Sequence, residues 1–369
     1  MILLTIVSGI VYLSVIGSFY YGWIRLRPFK SSENHHNVFV SVIIPVRNEK
    51  NNLETLIKSL YNQNYNPHCT EIIIVDDHSI DGSSEIAASL LKRTDKVIAL
   101  QSNKAGKKAA LQEGILSAKG DLLVTTDADC IYHPEWLQTI VNIYVTKKPA
   151  LILAPVIGSE PINLFESLQQ LEILSLLGST AGAASIHHAI MCNGANLAFP
   201  RTIIKEILSG YTNEEVASGD DMFVLEKVKK QYPQGIYFAK SKEATVSTRL
   251  AGNLIQFFNQ RRRWTTKAKF YTDKDIIFTG LAVLQINILL LFFLVFAFVS
   301  SNYTFFLLLL GIKTIVDLPF LWAVSRFFKK GELMYCFPVL QCVYFFYVSF
   351  TFLGSFTGNF NWKSRKLSA

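Results

Sequence analysis

Two apolar stretches, each long enough to cross a bilayer, bracket an interval of mixed composition, and that layout excludes an ordinary soluble fold for the whole chain. Residues 2–24 carry no charged side chain, and everything from residue 276 onward is rich in Leu, Phe, Ile and Val. Residues 37–275 have the composition of a globular domain instead. The first stretch lacks a positive leader and a small-residue cleavage site. It ends in Tyr20, Tyr21 and Trp23, followed by Arg25, Arg27 and Lys30. It therefore reads as a retained anchor, whose interfacial aromatics and basic flank place the following domain on the cytoplasmic side.

The net charge of +8 arises partly from that flank and partly from Arg261, Arg262, Arg263, Lys267 and Lys269, just ahead of the next apolar run. Nucleic-acid binding is not needed to account for it. Cys69, Cys130, Cys192, Cys336 and Cys342 are odd in number and form no C-x-x-C or His-spaced zinc pattern. Reduced thiols are expected.

Within the globular interval, strand-like runs at 39–45, 71–75, 96–100 and 121–126 alternate with helix-like stretches. The alternation predicts βαβ units and a mainly parallel sheet. Each run is followed by polar groups: Asn48 and Glu49, Asp76 and Asp77, Lys104 and Lys107, Asp127 and Asp129. Ligands of open α/β sheets sit at the carboxyl edge, so these groups are expected to converge. Asp127 and Asp129, two apart at a strand end, share a face. Their hard oxygens suit Mg²⁺ or Mn²⁺ once substrate phosphates complete the shell, which points to a nucleotide-diphosphate substrate.

Taken singly, these groups have ordinary structural explanations. Asp76, Asp77 and Asp81 are placed to end a strand and cap a helix, and Gly106-Lys107-Lys108 is placed to start one. No G-x-G-x-x-G or G-x-x-x-x-G-K-[ST] follows the first strand, which argues against a dinucleotide or P-loop site. Residues 191–200 hold Gly194 among small and polar residues, suiting close approach of a ligand to the backbone. Residues 218–228 read as a helix with Asp220 and Asp221 in its first turn, where acids also serve as caps. In Gln260-Arg-Arg-Arg-Trp264, Arg261 and Arg262 read as topogenic charges. Gln260 and Trp264 do not, and a planar aromatic beside the Arg263 guanidinium suits sugar and pyrophosphate.

The ordered set Pro45-Val-Arg-Asn-Glu49, Val75-Asp-Asp77, Gly106-Lys107, Asp127-Ala-Asp129, Gly219-Asp-Asp221 and Gln260-x-x-Arg-Trp264 resembles the membrane-bound family-2 glycosyltransferases. That group includes cellulose, chitin, hyaluronan and poly-N-acetylglucosamine synthases and ceramide glucosyltransferases. The resemblance covers residues 40–264. It implies a GT-A fold, an α/β Rossmann-like domain with a mainly parallel sheet, here cytoplasmic and flanked by transmembrane helices. It also implies inverting transfer from a nucleotide sugar, usually a UDP-sugar. By matching position, Glu49 and Asp77 would contact uridine with Asp76 and Lys107 beside them. Asp127 and Asp129 would bind the diphosphate, Asp129 through Mg²⁺ or Mn²⁺. Asp221 matches the general base, and Gln260, Arg263 and Trp264 match the motif holding pyrophosphate and acceptor. The chain departs from the pattern at Asp220, where many members have Glu, and in Thr248-Arg-Leu-Ala-Gly-Asn253, which lacks a proline common there.

Beyond Trp264 the apolar segments are 276–300, 303–325 and 333–354. Lys313 and Asp317, four apart, are expected to form an ion pair. Basic residues flank the last segment on both sides, and Pro338 and Gln341 lie within it. It is expected to be a re-entrant or interfacial hairpin that returns the tail to the cytoplasm, with a third span as the alternative. The expected units are an anchor (1–30), the GT-A domain (37–270), a membrane domain (275–357) and a basic tail (358–369). The acceptor expected is a membrane-associated polysaccharide or lipid. Single addition to a lipid, and a non-catalytic nucleotide-sugar-binding scaffold, remain as alternatives.

Overall fold

Strands that are apolar on both faces need cover on both faces, and the computed structural model supplies it with helices. It describes residues 1–30, 35, 37–92, 95–101, 103–211, 220–355, 360–362 and 365–367. In chain order these form α1 (Ile2–Arg25), β1 (Val40–Val46), α2 (Lys50–Tyr61), β2 (Thr70–Asp76), α3 (Ser83–Leu90), β3 (Lys96–Ala99), α4 (Lys107–Ser117) and β4 (Leu122–Thr126). There follow β5 (Ile131–Tyr132), α5 (Trp136–Lys147), β6 (Leu151–Leu153), β7 (Val156–Gly158), α6 (Leu164–Ser185), β8 (Asn196–Pro200), α7 (Ile204–Gly210), α8 (Asp220–Gln231), β9 (Ile236–Phe238) and β10 (Val246–Thr248). The membrane-proximal part comprises α9 (Leu254–Thr265), α10 (Lys274–Ser300), α11 (Thr304–Phe327), α12 (Phe337–Gly354), β11 (Phe360–Trp362) and β12 (Arg365–Leu367).

Seven strands build the main sheet in the order β3-β2-β1-β4-β8-β6-β9. The first four are mutually parallel, β8 runs antiparallel to both neighbours, and β6 pairs parallel with β9. The expected Rossmann-like, mainly parallel sheet is therefore present. The chain steps outward from β1 to β3 and returns to β4 on β1's other side, which opens a crevice at the carboxyl ends of β1 and β4. A small sheet, β5-β10-β7, closes that crevice from beyond β4. Alternation along β1 sends Ile43 to one core cluster and Val42 and Ile44 to the other.

The cluster containing Ile43 runs without a break into Tyr12, Phe19, Trp23, Phe293 and Phe320 of the apolar helices. α6 makes this junction. A Cβ at Gly182 would fall 2.1 Å from the Phe19 carbonyl oxygen, and one at Gly22 would fall 2.2 Å from that of Gly182. α1 and α6 thus cross backbone to backbone, as only glycine allows. At the end of α1, Lys240 Nζ donates to the carbonyls of Trp23 (2.6 Å) and Leu26 (2.8 Å), satisfying groups the helix leaves open. Trp23 also packs edge-on against Phe327, so α1 and α11 end at the same level against the domain.

Among the described residues, four helical stretches are long and apolar enough to cross a membrane: Ile2–Arg25, Lys274–Ser300, Thr304–Phe327 and Gly331–Gly354. Lys313 and Asp317 do pair. Tyr12 Oη donates to Asp317 (2.7 Å), and Gln341 bridges both partners at 3.0 Å each, so the buried charges are satisfied by three helices.

The last segment is not a hairpin: a 3₁₀ turn, Gly331–Cys336, leads into one uninterrupted α12. Pro338 does not break it because it lies in the first turn, where a missing N–H removes no helical bond. Both ends nevertheless touch the domain. Lys330 pairs with Glu160 ahead of the helix, and Arg262 Nε donates to Gly354 O at 3.0 Å behind it. β11 and β12 then pair antiparallel, with β11 beside α9.

Candidate active site

The turns after β1 and β2 are laced together. Asn48, at φ 52°, adopts the left-handed conformation that Asn tolerates. Its N–H donates to Ser79 Oγ and its Oδ1 accepts from Ile80 N–H, both at 2.9 Å. Glu49 N–H donates to Ser83 Oγ at 2.9 Å, leaving its side chain to face the crevice. The acids that follow β2 divide their work. Asp81 accepts from Ser83 N–H and Lys50 N–H, each at 3.0 Å, so it braces the turn ahead of α3, whose N-cap is Gly82. Asp76 is buried beneath the turn and accepts from Ser79 N–H at 3.2 Å, its other oxygen having no protein partner. Asp77 lines the crevice and accepts from Gly106 N–H at 3.0 Å. At φ 98°, Gly106 holds a conformation that suits glycine and aims α4 so that Lys107 opens it.

Lys107 Nζ meets Asp127 Oδ1 at 2.5 Å. Burial alone would pull the lysine down, but Asp127, and Asp221 beyond it, outweigh burial and hold it above its usual range despite Arg263 nearby. Asp127 and Asp129 reach the crevice from the turn after β4, not by strand alternation, since β4 ends at Thr126. Burial raises the Asp129 carboxyl above its ordinary value, and repulsion from Asp127 and Glu49 raises it further, against hydrogen bonds from Thr248 Oγ1 (3.1 Å) and its own backbone N–H.

Such carboxylate crowding fits a bound divalent cation. Among the described residues no three His, Cys, Asp or Glu side chains are grouped as a metal cage. Asp127 and Asp129 would hold the ion, with ligand oxygens supplying the rest of its shell.

Asp221 stands in the first turn of α8. Its Oδ2 accepts from Gly194 N–H and its Oδ1 from Met222 N–H, each at 3.0 Å. Gly194 of the 191–200 block thus serves the aspartate through its backbone, a link that spacing did not reveal. Gly219 and the side chain of Asp220 lie outside the described residues.

α9 begins with Asn253 capping Gln256 N–H at 2.9 Å and presents Gln260, Arg263 and Trp264 to the same crevice. The expectation that Arg261 and Arg262 are simply topogenic fails. The Arg261 side chain is 3 % exposed and paired with Glu172 of α6, and Arg262 caps α12. Gln169, one turn before Glu172, exchanges two 3.0 Å hydrogen bonds with Ala251 and so fixes the proline-free 248–253 segment. Neither α6 residue carried a signal in the sequence, because nothing in a helical glutamine or glutamate announces a partner some eighty positions away.

Glu49, Asp77, Lys107, Asp127, Asp129, Asp221, Gln260, Arg263 and Trp264 all line one cavity of about 920 Å³. Asp76 is not among its lining residues. The cavity continues between the apolar helices to Tyr12, Lys313, Asp317, Gln341 and Tyr344. Carboxylates, basic side chains and an aromatic platform thus share one enclosure, open toward the apolar helices.

Comparison with known proteins agrees with this geometry. The poly-beta-1,6-N-acetyl-D-glucosamine synthase of Staphylococcus epidermidis is 27% identical over 217 residues, 56% of this chain and 51% of that protein. The beta-monoglucosyldiacylglycerol synthase of Nostoc sp. is 24% identical over 265 residues, 71% of this chain and 54% of that protein. The chain spans from about a third to about half the length of the curated relatives it matches. The solved mannosyltransferase PcManGT of Pyrobaculum calidifontis, in complex with GDP-Man and Mn²⁺, aligns with a TM-score of 0.57 at 16% identity. That alignment covers 92% of this chain and 99% of the other, and it shows the GT-A fold. The family model described as Glycosyl transferase family 2 matches residues 41–208, the part of the chain that carries β1 to β8.

Proposed function

We propose that the protein is an inverting glycosyltransferase moving a sugar from a nucleotide donor, a UDP-sugar, to a membrane-associated polysaccharide or lipid acceptor. The observation that carries this reading is the single cavity shared by Asp127, Asp129, Asp221 and Trp264. Glu49 and Asp77 receive the nucleoside, with Asp76 bracing the turn beneath them. Lys107 and Arg263 offer fixed positive charge to the diphosphate. Asp127 and Asp129 hold a divalent cation, Mg²⁺ or Mn²⁺, which when bound neutralises charge on the departing diphosphate. Asp221, both oxygens oriented by backbone N–H groups, takes the proton of the attacking hydroxyl. Gln260 and Trp264 bound the acceptor side, and Asp220 acts beside Asp221.

A membrane-associated acceptor is favoured by the continuation of the cavity between the apolar helices. Matched relatives are named for both a polymer and a lipid product. In this reading α1, α10 and α11 span the membrane with the GT-A domain cytoplasmic. α12 lies beneath the domain, which returns the tail to the same side. An impermeant maleimide should label Ser301→Cys in intact cells and Asn361→Cys only after permeabilisation, in a background without native cysteines. Labelling of Asn361→Cys in intact cells would make α12 a span.

Purified protein with Mn²⁺, a panel of UDP-sugars and GDP-mannose, and either diacylglycerol or N-acetylglucosamine oligomers should release nucleotide and yield a glycosylated product. A ladder of products identifies polymerisation, and one shifted lipid band identifies single addition. UDP binding without transfer, together with unchanged cellular glycans in Asp221→Asn, would leave a scaffold instead.

A further inference from the structure

We infer that Arg261 is a positioning residue for the acceptor side of the site, set in place by Glu172 of α6 and Tyr347 of α12. The inference rests on the transferase reading above and goes beyond it by assigning work to Arg261, an unassigned position within the Gln260–Trp264 motif, and to Glu172 and Tyr347 outside the motifs.

Arg261 Nε lies 2.9 and 3.1 Å from the two Glu172 oxygens, and Nη2 adds a further contact. Seated this way, the planar fork has one free direction for each remaining feature. Nη1 donates to Gln260 Oε1 at 2.6 Å, and the guanidinium lies 4.2 Å from the centroid of the Trp264 ring. Two cavity-lining side chains are thus held by one buried cation. Glu172 Oε1 also accepts from Tyr347 Oη at 2.7 Å, which ties the arrangement to the apolar helix beneath.

A buried ion pair adds little net stability over an apolar pair of the same shape, so stability alone does not account for this one. Orientation does. A guanidinium gripped by a carboxylate fixes the carbonyl of Gln260 and the plane of Trp264 in a way that a lysine ammonium, with no fork and no plane, cannot reproduce. Tyr347 makes the arrangement sensitive to where α12 sits, so the acceptor platform and the membrane helix move as one unit.

The test is a set of steady-state kinetics on full-length Arg261→Lys, Glu172→Gln and Tyr347→Phe in detergent. It uses the donor and acceptor from the stated panel that wild-type protein turns over. Acceptor KM should rise about tenfold in Arg261→Lys and Glu172→Gln and about threefold in Tyr347→Phe, while donor KM and Mn²⁺-dependent UDP affinity stay within about twofold. Tyr347→Phe removes a single hydroxyl, so the test survives if Glu172→Gln fails to fold. Unchanged acceptor KM in folded Arg261→Lys and Tyr347→Phe, or equal losses for donor and acceptor, overturns the inference while transfer by wild type stands. Wild-type protein that binds UDP and transfers nothing overturns the transferase reading itself.

Discussion

The half of the cavity proposed for the donor and the half proposed for the acceptor are built by different means. On the side proposed for the donor, Asn48, Asp77, Gly106 and Asp127 stand in short turns at strand ends, joined by hydrogen bonds from backbone N–H groups to side chains and by the Lys107–Asp127 pair. On the acceptor side, placement depends on side chains reaching between distant helices: Arg261 to Glu172, Tyr347 to Glu172, Arg262 to Gly354. Local turns fix a site for a rigid ligand such as a nucleotide. A network spanning α6, α9 and α12 ties Gln260 and Trp264 to the position of α12. Changes on the donor side should therefore act on donor binding, changes in the α6–α9–α12 network on acceptor binding, and changes at the α1–α6 crossing on stability.

The sharpest separation is expected from Asp129→Asn, which removes one of the two carboxylates placed for the cation. Mn²⁺-dependent UDP affinity should fall about a hundredfold by calorimetry. Thermal stability of the unliganded protein should not fall, because a crowded carboxylate has been relieved. Gly182→Leu should behave in the opposite way. Its side chain has no room against the Phe19 carbonyl, so a loss of about 1–3 kcal/mol in unfolding in detergent is expected from overpacking. UDP affinity of the fraction still folded should persist. If Gly182→Leu instead abolished UDP binding in folded protein, the donor side and the α1–α6 crossing would not be separable.

A smaller effect is expected at Gly106. Alanine there must hold φ 98°, at a cost of about 1–2 kcal/mol. Donor KM should rise as Lys107 shifts, with acceptor KM unchanged.

The smallest effect concerns pH. The Asp129 carboxyl is raised above its ordinary 3.8 by burial and its acidic neighbours. Between 3.8 and the raised value the folded chain binds the proton more tightly than the unfolded one. Unliganded stability therefore falls as pH climbs through that window. Mn²⁺ binding requires the ionised form, so added Mn²⁺ should raise Tm above the window and have no effect below it. Asp129→Asn should flatten both trends.

The same contrast explains what the sequence made legible. The four leading strands stand within a residue or so of their expected bounds because parallel strands buried on both faces must be short continuous apolar runs. Their polar ends converge because strand direction and right-handed crossovers leave the carboxyl edge as the one place they meet. Asp76 was grouped with Asp77 on sequence, yet only one of two consecutive residues can face the crevice. Arg261 was misread because a basic residue before an apolar run has the same appearance whether it faces water or Glu172. The last apolar segment was expected to turn back as a hairpin. It is a straight helix, since its proline occupies a first turn, a fact visible only once the helix start is known.

The central claim is that cation-binding carboxylates, proton acceptor and acceptor platform share one enclosure. Asp221→Asn tests it most directly, measured on one preparation for Mn²⁺-dependent UDP affinity and for sugar transfer. The account predicts affinity within about twofold of wild type and transfer reduced by about a thousandfold. Transfer that persists near the wild-type rate, with UDP still bound, would contradict it.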